Sequence, residues 1–387
     1  RQALAASTMR LAKRGVLLHN MKSIESLARV DVLCVDKTGT ITENTMEVQE
    51  LVPVVSIEND GTDLTNVEKL IGDFCRTMSA DNDTMKAMKE FFVTNNQREA
   101  VSYTSFSSVE KFSSVTFPEA TYILGAPEMI LRDNYEMYQS EVEHYTSQGY
   151  RLLVFGKYLG EFQETLTAEV QPLGYILLWN PIRKEAKATF EYFAEQNVAI
   201  KVISGDNPLT VSNVAQAAGI IGAENYVDAR TLTTMEAQTE ALEKYTVFGR
   251  VTPEQKKQFV LLLKKLDHTV AMTGDGVNDI LAMKEADCSI AMASGNQATA
   301  QASQVVLLDS DFSTMPEVVF EGRQVVNNIE RSSSLFLVKN IFSLLMSVFA
   351  MIFAVTYPLQ PTQVTLISLF TIGTVSYTHL RAHETDS

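Results

Sequence analysis

The run Val30-Asp31-Val32-Leu33-Cys34-Val35 is almost wholly apolar and stops at Asp36-Lys37-Thr38-Gly39-Thr40. A buried strand here delivers a carboxylate, followed at once by a cation and small hydroxyl residues. That arrangement suits a nucleophilic aspartate that accepts a phosphoryl group. It also narrows the folds open to the chain, because open α/β sheets gather their ligands at the C-terminal ends of their strands.

Further strand-then-helix units follow. Strands are expected at residues 30–35, 173–178, 198–203, 246–248, 269–272, 289–291 and 305–308, with helices from Pro181 to Gln196, over 209–218, from Pro253 to Leu266 and from Asn278 onward. Such alternation predicts an α/β fold with a doubly wound parallel sheet. Three of these strands would deliver Asp36, Ser204 and Asp275 at their C-terminal ends. The rhythm changes over residues 47–174, where polar loops and strand pieces such as 120–124 and 152–157 predict an inserted α+β domain.

The three loops converge chemically. Asp36 is the candidate nucleophile, flanked by Lys37 and Thr38. Asp275 offers a hard oxygen for Mg²⁺, with Asn278 and Asp279 next in the chain to orient the loop. Lys256, at the start of a helix, would offset the charge of a transferring phosphoryl group, and Ser204 and Gly205 offer a hydroxyl and backbone amides to its oxygens. Taken singly, each of these residues has a bland reading as a cap, a solvated charge or a turn. Their joint occurrence in this order is what argues for phosphoryl transfer.

DKTGT at 36–40, SGDN at 204–207 and TGDGVND at 273–279 resemble the haloacid-dehalogenase-type phosphotransferase core of a P-type (E1-E2) cation-transporting ATPase of bacterial type. The resemblance implies that Asp36 is phosphorylated by ATP and that Asp36, the Thr38 carbonyl and Asp275 hold Mg²⁺. It implies that Ser204, Gly205, Lys256 and Asn278 contact the phosphoryl group and that Asp206 and Asp279 support the loops. Soluble phosphatases of the superfamily carry a second Asp where this chain has Thr38, so water would attack the aspartyl phosphate slowly here. A pump needs such a persistent intermediate. The inserted domain resembles the family's nucleotide-binding domain, which implies that Phe106 stacks on adenine and that Lys111, Gly125, Ala126, Arg151 and Arg183 contact the nucleotide. Two positions depart from the pattern: Leu124 replaces a lysine and Asn180 replaces an aspartate. A membrane-tethered phosphatase and a non-catalytic nucleotide-sensing relic are the alternatives, the relic motivated by those two departures.

Residues 335–357 are mostly apolar, interrupted by Lys339 and Asn340, and are long enough for a tilted membrane helix. The resemblance divides the chain into a cytosolic stalk at 1–23 and a discontinuous phosphorylation domain at 24–46 and 175–325. It places a nucleotide-binding domain at 47–174, a stalk with the fifth membrane helix at 326–357 and part of the sixth at 358–374. Residues 375–387 resemble translated sequencing-adapter read-through and are set aside, a genuine polar tail being the alternative. The fourth membrane helix and the actuator domain are expected to be missing, so a fragment of this kind would not transport by itself. Asn340 and Thr371 fall at transported-ion ligand positions of calcium pumps, although Ser343 and Ile372 replace the carboxylates expected nearby. Calcium is therefore only the leading guess for the cation. Lys339 either marks function or snorkels to the interface.

The expected partners are ATP, a transported cation and the lipid bilayer, in a multi-pass cell-membrane protein with its catalytic domains in the cytoplasm. A net charge of −15 argues against nucleic-acid binding, which needs basic patches. The three cysteines, Cys34, Cys75 and Cys288, have no CxxC spacing and predict neither a disulfide framework nor a thiolate metal site.

Overall fold

The computed structural model describes residues 2–20, 22–54, 63–107, 109–309, 311–353, 356 and 359–373, excepting the side chains of residues 2, 3 and 371–373. The segment 375–387 and the side chain of Thr371 lie outside that description. In chain order the strands are β1 (Val16–Leu18), β2 (Val32–Val35), β3 (Glu47–Pro53), β4 (Ser102–Thr104), β5 (Phe112–Thr116), β6 (Thr121–Gly125), β7 (Arg151–Tyr158), β8 (Val170–Trp179), β9 (Ala199–Ile203), β10 (Tyr226–Asp228), β11 (Val247–Gly249), β12 (Val270–Gly274), β13 (Cys288–Met292) and β14 (Val305–Leu307). The chain forms two compact units, Arg1–Leu33 with Tyr192–Ala199 and Val260–Ser387, and Cys34–Glu191 with Ile200–Phe259.

In the first unit β12, β13 and β14 run parallel, and β1 closes the edge antiparallel to β14. β1 falls within the span expected to be stalk. Gly15 takes φ +78° and turns the chain back after the helix Gln2–Lys13, so three apolar residues can join a sheet edge. The helix Lys22–Arg29 buries Ile24 and Leu27. One uninterrupted helix, Met315–Ile352, carries both the expected stalk and the expected span. Its first turns bury Met315, Val318, Val319 and Val325, whereas Phe336, Leu344, Leu345 and Met351 are exposed. By length and composition it can cross a membrane. A short helix, Pro361–Ile367, and a π-helical turn, Ser368–Gly373, follow.

The second unit contains parallel strands β9, β11 and β10 and a separate six-stranded antiparallel sheet in the order β3-β8-β7-β6-β5-β4. β8 corrects an expectation. Its residues 173–178 are expected in the parallel sheet, yet β8 pairs antiparallel with both β3 and β7. All but two of its ten residues are buried, so its apolar run looks like a central parallel strand. Burial tells how deep a strand lies but not which strand it pairs with.

The antiparallel sheet packs on the helix Leu64–Thr77, capped by Asp63, and on the helix Asp83–Phe91, capped by Asn82. Phe74 meets Phe155 edge-on at 5.7 Å between ring centroids, and Tyr122 stacks on the same ring at 5.5 Å.

Candidate active site

Asp36 leaves the end of β2 with its side chain 19% exposed. The Lys37 backbone N–H donates to Asp36 Oδ1 at 2.7 Å, and Lys256 Nζ donates to Oδ2 at 2.8 Å. The turn that follows is tightly held. Gly39 takes φ +80°, which disfavours side chains, and the Ile41 and Thr42 N–H groups both donate to the Lys37 carbonyl at 3.0 and 3.1 Å. Arg183 donates from Nη2 to the Gly39 carbonyl at 2.8 Å, and its backbone N–H donates to the Ile41 carbonyl at 3.1 Å. Expected beside the nucleotide, Arg183 thus supports the Asp36 turn.

Lys256 reaches Asp36 because its helix starts in a defined place. Thr252 and Gln255 form a reciprocal capping box, each side chain accepting from the other's backbone N–H. Pro253 opens the helix Pro253–Lys265. The ammonium group is almost fully buried, at 5% exposure, so the pair sits in a medium where charge interacts more strongly than in water.

The loop after β9 is pinned to the end of β11. Ser204 N–H donates to the Phe248 carbonyl at 3.0 Å, Val251 N–H to the Ser204 carbonyl at 3.0 Å and Arg250 N–H to the Asp206 carbonyl at 2.8 Å. Ser204 Oγ accepts from Asp206 N–H at 3.3 Å. Gly205 lies exposed beside it, and the Asp206 carboxylate pairs with the Lys37 ammonium. Asp36 with Lys256, and Lys37 with Asp206, are two ion pairs on the same unit. Cys34, two residues before Asp36, is not a rival nucleophile. Burial pushes its thiol up to about 12 despite the opposing charge of Lys201, so it stays protonated.

In the other unit β12 ends at Gly274, and Asp275 follows. The Asp275 carbonyl accepts from Asn296 N–H at 2.8 Å, so a later loop fixes the turn. Asn296 also caps the helix Gln297–Ala302, and sequence reading passed it over because its signal is that of a cap. Asp279 is buried in a short 3₁₀ turn, with Asn278 exposed beside it.

Cavities on the second unit border these residues. One, of about 550 Å³, is lined by Lys37, Thr38, Asp206, Arg250, Arg151 and Trp179, among others. The second, of about 390 Å³, is lined by Phe106, Ser113, Leu124, Gly125, Arg151 and Leu153, with residues from 44–46 and 82–85. Arg151 borders both. Phe106 is half exposed. Lys111 and Ala126 line a neighbouring hollow on which Phe106 and Arg151 also open. Gly125 is required by close approach, since a Cβ there would come within 2.5 Å of the Lys111 carbonyl oxygen. Asn180 donates to the Thr45 carbonyl at 2.9 Å. Trp179, the single tryptophan, was not singled out in the sequence, because nothing in its apolar strand marks a cavity wall.

On the long helix, Lys339 Nζ donates to Ser368 Oγ at 2.7 Å and lies 5.9 Å from the Phe336 ring centroid. Asn340 is exposed. Among the described residues no three His, Cys, Asp or Glu side chains cluster as a metal site.

A family model described as haloacid dehalogenase-like hydrolase matches residues 30–287. A probable cation-transporting ATPase, exp7, of Streptococcus pneumoniae is 39% identical over 383 residues, which is 96% of this chain and 48% of that protein. The calcium-transporting ATPase CtpE of Mycolicibacterium smegmatis is 40% identical over 388 residues, 96% of this chain and 47% of its own length. The chain therefore spans about half the length of these relatives. A crystal structure of a zinc-transporting PIB-type ATPase in the E2.Pi state matches 98% of this chain and 53% of its own, with TM-score 0.70 at 19% identity. That likeness speaks to the fold alone.

Proposed function

The chain belongs to the haloacid dehalogenase-like hydrolase family and, within it, to the cation-transporting P-type ATPases, and on that premise we propose that it is the catalytic part of an ATP-driven cation pump phosphorylated at Asp36. A carboxylate oxygen of Asp36 attacks the γ-phosphorus of ATP. The new oxygen–phosphorus bond makes an aspartyl phosphate, the bond to the β–γ bridging oxygen breaks, and ADP leaves. The observation that carries this reading is the 2.8 Å contact of buried Lys256 with Asp36 at the end of a strand, on a turn braced by Arg183. Lys256 offsets charge that would otherwise repel the phosphate. Ser204, Gly205 and Asn278 are assigned to the phosphoryl oxygens, and Asp206 and Asp279 to supporting the loops. Thr38 leaves no carboxylate two residues after the nucleophile to activate water, which favours a lasting intermediate.

Asp36, the Thr38 carbonyl and Asp275 are assigned to Mg²⁺, which when bound would neutralise phosphate charge. Phe106, Lys111, Gly125, Ala126 and Arg151 are assigned to the nucleotide within a domain over residues 47–174. The phosphorylation domain is taken as 24–46 and 175–325, less residues 175–179, which β8 carries into the antiparallel sheet. The helix Met315–Ile352 is taken to cross the cell membrane, with the catalytic part in the cytoplasm. Calcium is the first cargo to test, since one relative is named a calcium-transporting ATPase. Asn340 and Thr371 are its candidate ligands.

With [γ-³²P]ATP and Mg²⁺, a hydroxylamine-sensitive label should form on the chain and be absent in Asp36→Asn. Absence of label in the intact parent protein would sink this reading. Rapid turnover of small phosphate esters with no trapped label would favour a phosphatase instead. Cation-stimulated ATPase activity of the intact protein identifies the cargo.

A further inference from the structure

Asp31 stands immediately before β2, five residues ahead of Asp36. Each of its polar groups is engaged. Its backbone N–H donates to the Thr269 carbonyl at 3.1 Å, and its own carbonyl accepts from Ala199 N–H at 2.8 Å. Side-chain Oδ1 accepts from Thr269 N–H at 2.8 Å, and Oδ2 lies 2.8 Å from His268 Nδ1. A carboxylate accepts, so Nδ1 is the donor in that bond. His268 is presented by the turn that ends the helix Pro253–Lys265. Asp267 takes φ +64° there, and the N–H groups of Asp267 and His268 donate to the Lys264 and Leu263 carbonyls at 3.1 Å each.

The same helix carries Lys256 near its start, where Nζ meets Asp36. β2 and this helix are thus joined twice: Asp31 with His268 where the strand begins, and Asp36 with Lys256 where it stops. The lengths agree. Five residues of strand span ~17 Å at about 3.3 Å each, and the twelve from Lys256 to His268 span ~18 Å at about 1.5 Å each. One contact therefore closes without opening the other. A helix held only at Lys256 would rock about that point, and a shift of about 1 Å at a reacting centre can cost up to about 10² in rate. We propose that Asp31 and His268 are positioning residues for phosphoryl transfer: they fix the far end of the Lys256 helix on the strand that leads to Asp36, and so hold the ammonium aligned on the carboxylate. Neither touches the reacting atoms. This rests on the phosphorylation reading above. The side chains of His268 and Asp31 are 39% and 45% exposed, so their pair adds little to stability, and its loss shows in alignment and not in folding.

The intact parent protein with Mg²⁺ is labelled from ³²P-labelled acetyl phosphate, and the initial rate is followed against donor concentration. The initial rate excludes later hydrolysis, and saturation separates the chemical step from donor binding. His268→Ala should lower the saturating rate about fivefold, the ceiling for a half-exposed ion pair. The donor concentration at half-maximal rate and the Tm should stay near their parent values. His268→Asn places an N–H donor at the position of Nδ1 and should restore most of the rate. In an Asp31→Ala background the His268→Ala change should add nothing, because its partner is already gone. A parent rate in His268→Ala overturns the proposal, and so does a His268→Asn variant as slow as His268→Ala. A loss of rate matched by partial unfolding at the assay temperature overturns it as well. Absence of label in the unsubstituted parent protein would instead sink the reading of Asp36 itself, and this proposal with it.

Discussion

The Asp36 turn and the cavity beside Leu124 lie on the same compact unit and are built by opposite means. The turn draws charges from separate segments to the ends of strands: Asp36 from β2, Asp206 after β9 and Lys256 from a helix after β11. The cavity is walled by neighbouring strands of one antiparallel sheet together with the capped start of the helix Asp83–Phe91, and its apolar side chains carry no chemistry of their own. One region works through charge fixed in place, the other through shape.

Lys256→Ala should break that division most severely. Removing one partner of a buried pair costs roughly 3–5 kcal/mol, and the cost here should fall at or below that range because Asp36 retains some exposure. Phosphorylation should fall about 10²–10³-fold, and should fall equally with ATP and with acetyl phosphate, a donor that has no base. A loss seen only with ATP would show that Lys256 serves nucleotide binding and not the reaction.

Phe106→Ala is the mirror test. It should weaken ATP binding by about 1–3 kcal/mol and leave labelling from acetyl phosphate unchanged. Loss of both would mean that the two regions are not separable. Gly125→Ala forces a methyl group against the Lys111 carbonyl and should lower stability by about 1–3 kcal/mol, read as a drop in Tm with some loss of nucleotide affinity. An unchanged Tm would show that the cavity wall yields more readily than the turn.

Up to pH 9 the smallest effect per residue comes from pH. Burial pushes the Cys34, Cys75 and Cys288 thiols from an ordinary 9.0 up to about 12. Above pH 9 the unfolded chain releases these protons while the folded chain keeps them. Stability is therefore full below 9 and declines as pH rises toward 12. Melting curves between pH 8 and 10 should show the decline, and Cys→Ala variants should flatten it. Below pH 9 native thiols should not react with maleimide.

The candidate loops stand out in the sequence because their residues are polar at strand ends, where a structural role rarely calls for several charges in that order. Asp36, Ser204, Lys256 and Asp275 all lie in or just after regular elements of the expected kinds. The wall residues were less legible. Trp179 and Leu153 look like ordinary core positions, and nothing in the sequence shows that Arg183, expected at the nucleotide, holds the Gly39 carbonyl. β8 went to the wrong sheet because an apolar run records burial and not pairing.

Residue order and local chemistry were enough to expect an α/β chain with a carboxylate, Asp36, at a strand end, a helix apolar enough to cross a bilayer and a helix opening at Pro253 just before Lys256. These depend on patterns within a few residues: an apolar run with a charge at its end, or a proline where a helix opens. Tertiary structure alone decided that Lys256 touches Asp36 across 220 residues of chain, that Arg183 braces the turn, and that Leu124 faces a cavity. Those contacts follow from which strands neighbour one another, and strand pairing is a choice among many distant partners of nearly equal local merit.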